Sequence, residues 1–165
     1  MTELVLLLAA VLIHELGHIA AARLFGIPLV SFGIKTVGLS LAFDFSEAGY
    51  LCEAAVHSGG AAAGIISALL AVCLPLSFAK IYAGASLALA LVNLLPIRSF
   101  DGGAILAAVL SEFFLPDTVW RITKAVSSLT VLLLWTAVLW IEMRVTANPG
   151  LLAFVCAVLV WEAED

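Results

Sequence analysis

Charge is what this chain has least of. Asp, Glu, Lys and Arg make up 12% of its 165 residues, about half the share of an ordinary soluble domain. So few charged groups cannot cover a water-soluble surface. The seven Lys and Arg are scattered and the net charge is −5, so there is no basic stripe for nucleic acid, and none is expected as a partner. Three cysteines, Cys52, Cys73 and Cys156, stand far apart with no C-x-x-C. That odd, widely spaced set says little, and its members read as small apolar residues in or near membrane helices. The first apolar run is preceded by "MTE", without a positive charge, and is interrupted by His-Glu. It is read as a retained span, not a signal peptide. The acids of "WEAED" at the end read as a solvated tail.

What is present is apolar. Hydrophobic residues make up 64% of the chain, against about 45–50% in soluble domains, so an integral membrane protein is expected. A span needs ~20 apolar helical residues. Spans are predicted at 3–23, 54–78, 81–97 and 123–143, with a final short one at 150–162. The second begins with "AAVHSGGAAAG", small residues that let helices approach closely in lipid. Residues 26–52 break this pattern with short β-branched and aromatic runs punctuated by glycine, which predicts a small β-hairpin or sheet. Residues 101–116 have a helix start at Asp101 and a stop at Pro116. They are too short to span and are read as a partly inserted helix. The expected fold is therefore an all-α polytopic membrane protein of about 5 spans, with a β-hairpin between the first two and one short partly inserted helix. It is read as a single domain over 1–165. With the N-terminus outside, Arg23, Lys35, Arg98, Arg121 and Lys124 lie inside, and Lys80 and Arg144 outside. The positive-inside rule favours that orientation.

Within the first span stands "HELGH". His14 and His18 are four residues apart, which puts both imidazoles on one helix face. Glu15 points about 100° around the helix from His14. The arrangement offers two ligands for a metal such as zinc and a general base for water. A carboxylate in a spanning helix costs roughly 2.5–3.5 kcal/mol on insertion scales, so chance placement is disfavoured. A catalytic zinc needs a third protein ligand and an open position. The candidates are Asp101, His57, Glu53, Asp44 and Glu47. Asp101 has the best case, because the third span returns to the side on which the first ends and breaks at "NLLPIRSFDGG". His57 is read either as a substrate-polarising donor or as a satisfied interfacial histidine. Asn93 is expected to hold the Asp101 loop or to bond another helix. Pro96 is expected to end the third span by removing a donor, and Gly102 and Gly103 to allow tight turning.

"HELGH" followed by "NLLPIRSFDGG" resembles the site-2 protease family, peptidase family M50, whose signature is HExxH plus a distal Asn-x-x-Pro…Asp-Gly element. The resemblance covers roughly residues 3–110 and looks most like the sporulation stage IV factor B branch, leaving helices at 118–162 as a C-terminal part. It implies one Zn²⁺ held by His14, His18 and Asp101, Glu15 as catalytic base, and Asn93, Pro96, Gly102 and Gly103 in support. It implies a metalloendopeptidase of regulated intramembrane proteolysis in a bacterial cytoplasmic membrane, with its active site toward the cytoplasm. The substrate class is a membrane protein such as a tethered transcription factor or pro-sigma factor, and a regulatory membrane protein is a further partner. One departure is plain. The family's Gly-Pro-x-x-Asn in the second span reads here "SGGAAAG". Two rivals remain at this point: a non-catalytic helix-binding pseudoprotease, and a metal transporter.

Overall fold

A computed structural model describes residues 2–35, 38–144 and 149–164. The elements run α1 (Thr2–Leu24), β1 (Leu29–Lys35), β2 (Gly38–Phe43), α2 (Tyr50–Val72), α3 (Ser77–Asn93), α4 (Asp101–Ser111), α5 (Pro116–Arg144) and α6 (Pro149–Glu164). They form two compact units, residues 1–94 and 95–165.

The first unit is three mutually packed helices, α1, α2 and α3, with a two-stranded sheet. α1 ends where Gly26 takes φ +70°. Its N–H bonds the Arg23 carbonyl (3.2 Å) and that of Ile27 bonds Ala22 (2.8 Å). These are the paired bonds of a Schellman stop, and only glycine adopts that backbone cheaply. Ile27 then packs on Ala22 and Val56, and Pro28 prevents resumption of the helix.

The expected hairpin is present. β1 and β2 pair antiparallel from Lys35↔Gly38 to Leu29↔Phe43, with a bulge between Leu29 and Ser31. Phe43 at its end, and Phe45 just beyond, pack against the Ala22, Ile27 and Val56 cluster. The hairpin is thereby tied to the end of α1 and the start of α2.

α2 starts at Tyr50 and stops at Val72, not over 54–78 as the apolar run implied. Pro75 lacks a donor and keeps Leu74 out of helical conformation, so the run divides there. For the same reason α3 occupies Ser77–Asn93 and not 81–97. Leu74 and Leu76 look like span residues by hydropathy, yet they are exposed members of the turn.

In the second unit α5 packs with both α4 and α6. α4 is shorter than the 101–116 expected, ending at Ser111. Pro116 does not stop it but begins α5, because proline at a first helical position gives up only an N–H that has no helical partner. α5 therefore starts seven residues before the expected 123, with Asp117, Arg121 and Lys124 in its first turns.

Three helices, α1, α2 and α5, are long and apolar enough to cross a membrane. α3 and α6 are apolar helices of 17 and 16 residues. The described chain is thus mostly helical, with one small antiparallel sheet.

Candidate metal centre

α1 and α2 approach unusually closely, and the site depends on it. A Cβ at Gly17 would strike the Gly59 carbonyl and lie 2.6 Å from the Ala63 methyl. A Cβ at Gly59 would lie 2.6 Å from the Gly17 carbonyl oxygen and 2.8 Å from the Ala21 methyl. Gly17 and Ala21 on one helix thus face Gly59 and Ala63 on the other, a reciprocal small-xxx-small seam.

The seam brings α2 against both imidazoles. His14 and His18 are 4% and 6% exposed. His18 Nδ1 lies 2.9 Å from the Val56 carbonyl oxygen. A carbonyl only accepts, so Nδ1 carries the proton and Nε2 of the neutral ring presents its lone pair. That Nε2 lies 3.2 Å from His14 Nε2, with the rings edge to face at 81°. Across α2, Gly60 leaves the space in front of both nitrogens open. A Cβ there would strike His18 Nε2 and lie 2.8 Å from His14 Nε2.

This donor set fits zinc. Two nitrogens each ~2.05 Å from a tetrahedral ion are about 3.3 Å apart, and the observed separation is 3.2 Å. A ligating imidazole characteristically donates its other N–H to a carbonyl or carboxylate, and His18 does so to Val56. Among the described residues of this unit, Asp44, Glu47, Glu53 and His57 do not complete a three-ligand group with the pair. Asp44 is engaged elsewhere: its Oδ1 accepts the Ser46 N–H at 3.0 Å. The Ser46 side chain and backbone hold its carboxyl below the ordinary carboxylate range.

The remaining predicted residues fall as follows. Glu15 is half-buried on α1 beside the pair. His57 sits one turn before Gly60 on α2, its ring between those of His18 (6.3 Å) and Phe45 (5.8 Å). The Asn93 Nδ2 donates to the Leu89 carbonyl one turn back on α3 (3.0 Å). In the second unit Asp101 is the half-buried first residue of α4, and Phe100 is the N-cap. Pro96 lies three residues past the end of α3. It acts by denying Leu95 the helical conformation, rather than by removing a donor of the helix. Gly102 and Gly103 are buried helical residues and make no tight turn. Gly103 is required for space, because a Cβ there would strike the Ile97 carbonyl.

Two contributors were missed in the sequence, Gly60 and the Val56 carbonyl. The Gly-Gly doublet inside a span was the available signal for the first, since glycine there costs helix stability without a packing reason. A backbone carbonyl leaves no sequence signal.

Comparison with known proteins adds to this geometry. The model of peptidase family M50 matches residues 57–137, a stretch that includes Asn93, Pro96 and Asp101 but not the α1 histidines. The site-2 protease from Methanocaldococcus jannaschii has a similar structure, with a TM-score of 0.73 and 20% identity over 97% of this chain and 75% of that one. The sequence match is to the M50 model over part of the chain, and the structural likeness is one of fold. No curated protein matches the chain at the threshold applied. The three long apolar helices point to an integral membrane protein.

Proposed function

We propose that this chain is a zinc-dependent intramembrane protease of the site-2 type, a metalloendopeptidase that hydrolyses a peptide bond in or near a membrane segment of its substrate. The observation that carries the reading is the pair of buried imidazoles, with the His18 tautomer set by Val56 and both Nε2 atoms turned to the space that Gly60 keeps open.

In this reading His14, His18 and Asp101 hold one Zn²⁺. Asp101 is supported by the M50 match to its segment and by the lack of a third ligand for the pair among the described residues of the first unit. When bound, zinc supplies Lewis acidity, which polarises a carbonyl and makes a water acidic near neutral pH. Glu15 takes the proton from the attacking water and hands it to the leaving amine nitrogen. The substrate helix has to unwind first, because helical carbonyls are already hydrogen-bonded. The exposed edge of the hairpin offers an extended segment a strand to pair with. The five-span arrangement, the cytoplasmic placement of the site and the role in regulated release of a tethered transcription or pro-sigma factor belong to the same proposal. So does the sporulation-type affiliation.

The test is co-expression of single-span membrane proteins with the wild type and with Glu15→Gln, with zinc content measured on both. Cleavage lost and zinc retained is the expected result. Cleavage that survives Glu15→Gln rejects the mechanism.

A further inference from the structure

The segment between α3 and α4, residues 94–100, is irregular backbone, and its donors need partners wherever water is excluded. Some partners are local: the Ile97 N–H reaches the Leu95 carbonyl (2.7 Å) and that of Phe100 reaches Ile97 (2.9 Å). Ile97 is fully buried. Gly103, in the first turn of α4, lets that helix close on it, for a Cβ there would also lie 2.7 Å from Arg98 Cα. One bond comes from further away. The Arg98 N–H donates to Ser127 Oγ at 3.0 Å, and Ser127 stands fully buried on α5. The hydroxyl is thus spent on loop backbone three residues before Asp101. Other hydroxyls of α5 bond back to their own helix, Thr123 to Val119 and Thr130 to Val126.

We infer that Ser127 is a positioning residue for Asp101, fixing the loop that sets where the head of α4 presents its carboxylate. The inference rests on the reading of Asp101 as a zinc ligand. Ser127 touches neither metal nor substrate and acts through Arg98 and the loop. Without its oxygen the Arg98 N–H loses its partner in a buried place, and the loop must shift to find another.

The test uses the full-length protein in detergent and Zn²⁺ itself, titrated against a chromophoric chelator, with the visible spectrum of the Co²⁺ form as a second readout. Ser127→Ala is expected to weaken zinc by roughly 10–100-fold, the usual cost of losing an outer-sphere support, and to alter the Co²⁺ bands, while Ser127→Thr restores both. Should Ser127→Ala lose its helical circular dichroism, Ser127→Cys, similar in size but a poor acceptor, takes its place with the same expected loss. Wild-type zinc affinity in the variant lacking the hydroxyl, with zinc lost in Asp101→Asn, overturns the inference and leaves the ligand reading standing. An equal loss in Ser127→Thr also overturns it. Wild-type affinity in Asp101→Asn overturns the ligand reading itself.

Discussion

The two units pack their helices with different side chains. Beside His14, His18, Val56 and Ser86, the buried positions of α1, α2 and α3 are alanine and glycine: Ala10, Gly17 and Ala22, then Ala54, Gly60, Ala61, Gly64, Ala68 and Ala71, then Ala79, Ala83 and Ala90. α5 and α6 bury valine, at Val119, Val131, Val138, Val155 and Val158, with Thr123 and Ser127 among them. Small residues let backbones nearly touch, and only such an approach puts the Val56 carbonyl on His18 and the Gly60 backbone in front of both imidazoles. β-Branched side chains hold helices further apart and fill the gap with stiff, interlocking groups. The first unit is built for approach and α5 and α6 for support, while α4 with its buried Gly102, Gly103 and Ala108 also packs closely. In lipid neither gains from burying apolar area, because the bilayer is as apolar as the core, so fit and hydrogen bonds carry the stability.

Substitutions that break this contrast have graded effects. The largest is expected at Gly60→Ala. Its new methyl meets the movable ends of His18 and His14, so the rings turn aside and the fold persists. Zinc stoichiometry should fall toward zero while the metal-free thermal midpoint stays near wild type. Gly17→Ala meets backbone and cannot be accommodated by a ring flip. It should cost about 1–3 kcal/mol as overpacking, seen in unfolding measurements, with zinc weakened as α2 backs away. Val131→Ala, buried at 3% exposure in the second unit, should cost about 0.5–1.5 kcal/mol and leave zinc binding unchanged. A loss of zinc there would blur the division between approach and support. The smallest effect belongs to the polar ties between α2 and α3. Tyr82 donates to Ser67 (2.9 Å), and Ser67 and Ser86 both donate to the Gly64 carbonyl (2.9 and 3.0 Å). Tyr82→Phe should cost about 0.6 kcal/mol, the mean for such bonds in a membrane protein, and a double-mutant cycle with Ser67→Ala should show the coupling.

The SGGAAAG stretch shows how far the sequence could be read. Its small residues announce close packing, but their tasks differ. Gly59 meets α1 backbone, Gly60 meets the histidines, and Gly64 lies beside Ala90 and Ser86 of α3. Helical periodicity separates Gly59 from Gly60 and Gly64, which share a face four residues apart, but does not say which neighbour each one meets. Element types and the hairpin were legible from period and turn chemistry. Boundaries at Pro75 and Pro116 were misplaced, because hydropathy runs through a proline that the backbone does not. In the candidate metal centre the His14 and His18 spacing was legible because both imidazoles lie on one turn-to-turn face. For Asn93 spacing could not single out the bond its amide makes to Leu89 on its own helix.

By itself the sequence determined the solvent of this protein, since a chain so poor in charge has to live in lipid. It also determined that the two HELGH imidazoles share a face, because side chains four residues apart need nothing but a helix. The tertiary structure alone decided how close α2 comes, and therefore which carbonyl sets the His18 tautomer and which glycine keeps the space before the rings open. It alone decided that Ser127, 29 residues along the chain, takes the Arg98 N–H. The physical reason is the same in both cases. Local pattern fixes which face of a helix a residue occupies, whereas the partner of that face is chosen by packing between helices, where lipid supplies no burial signal to read.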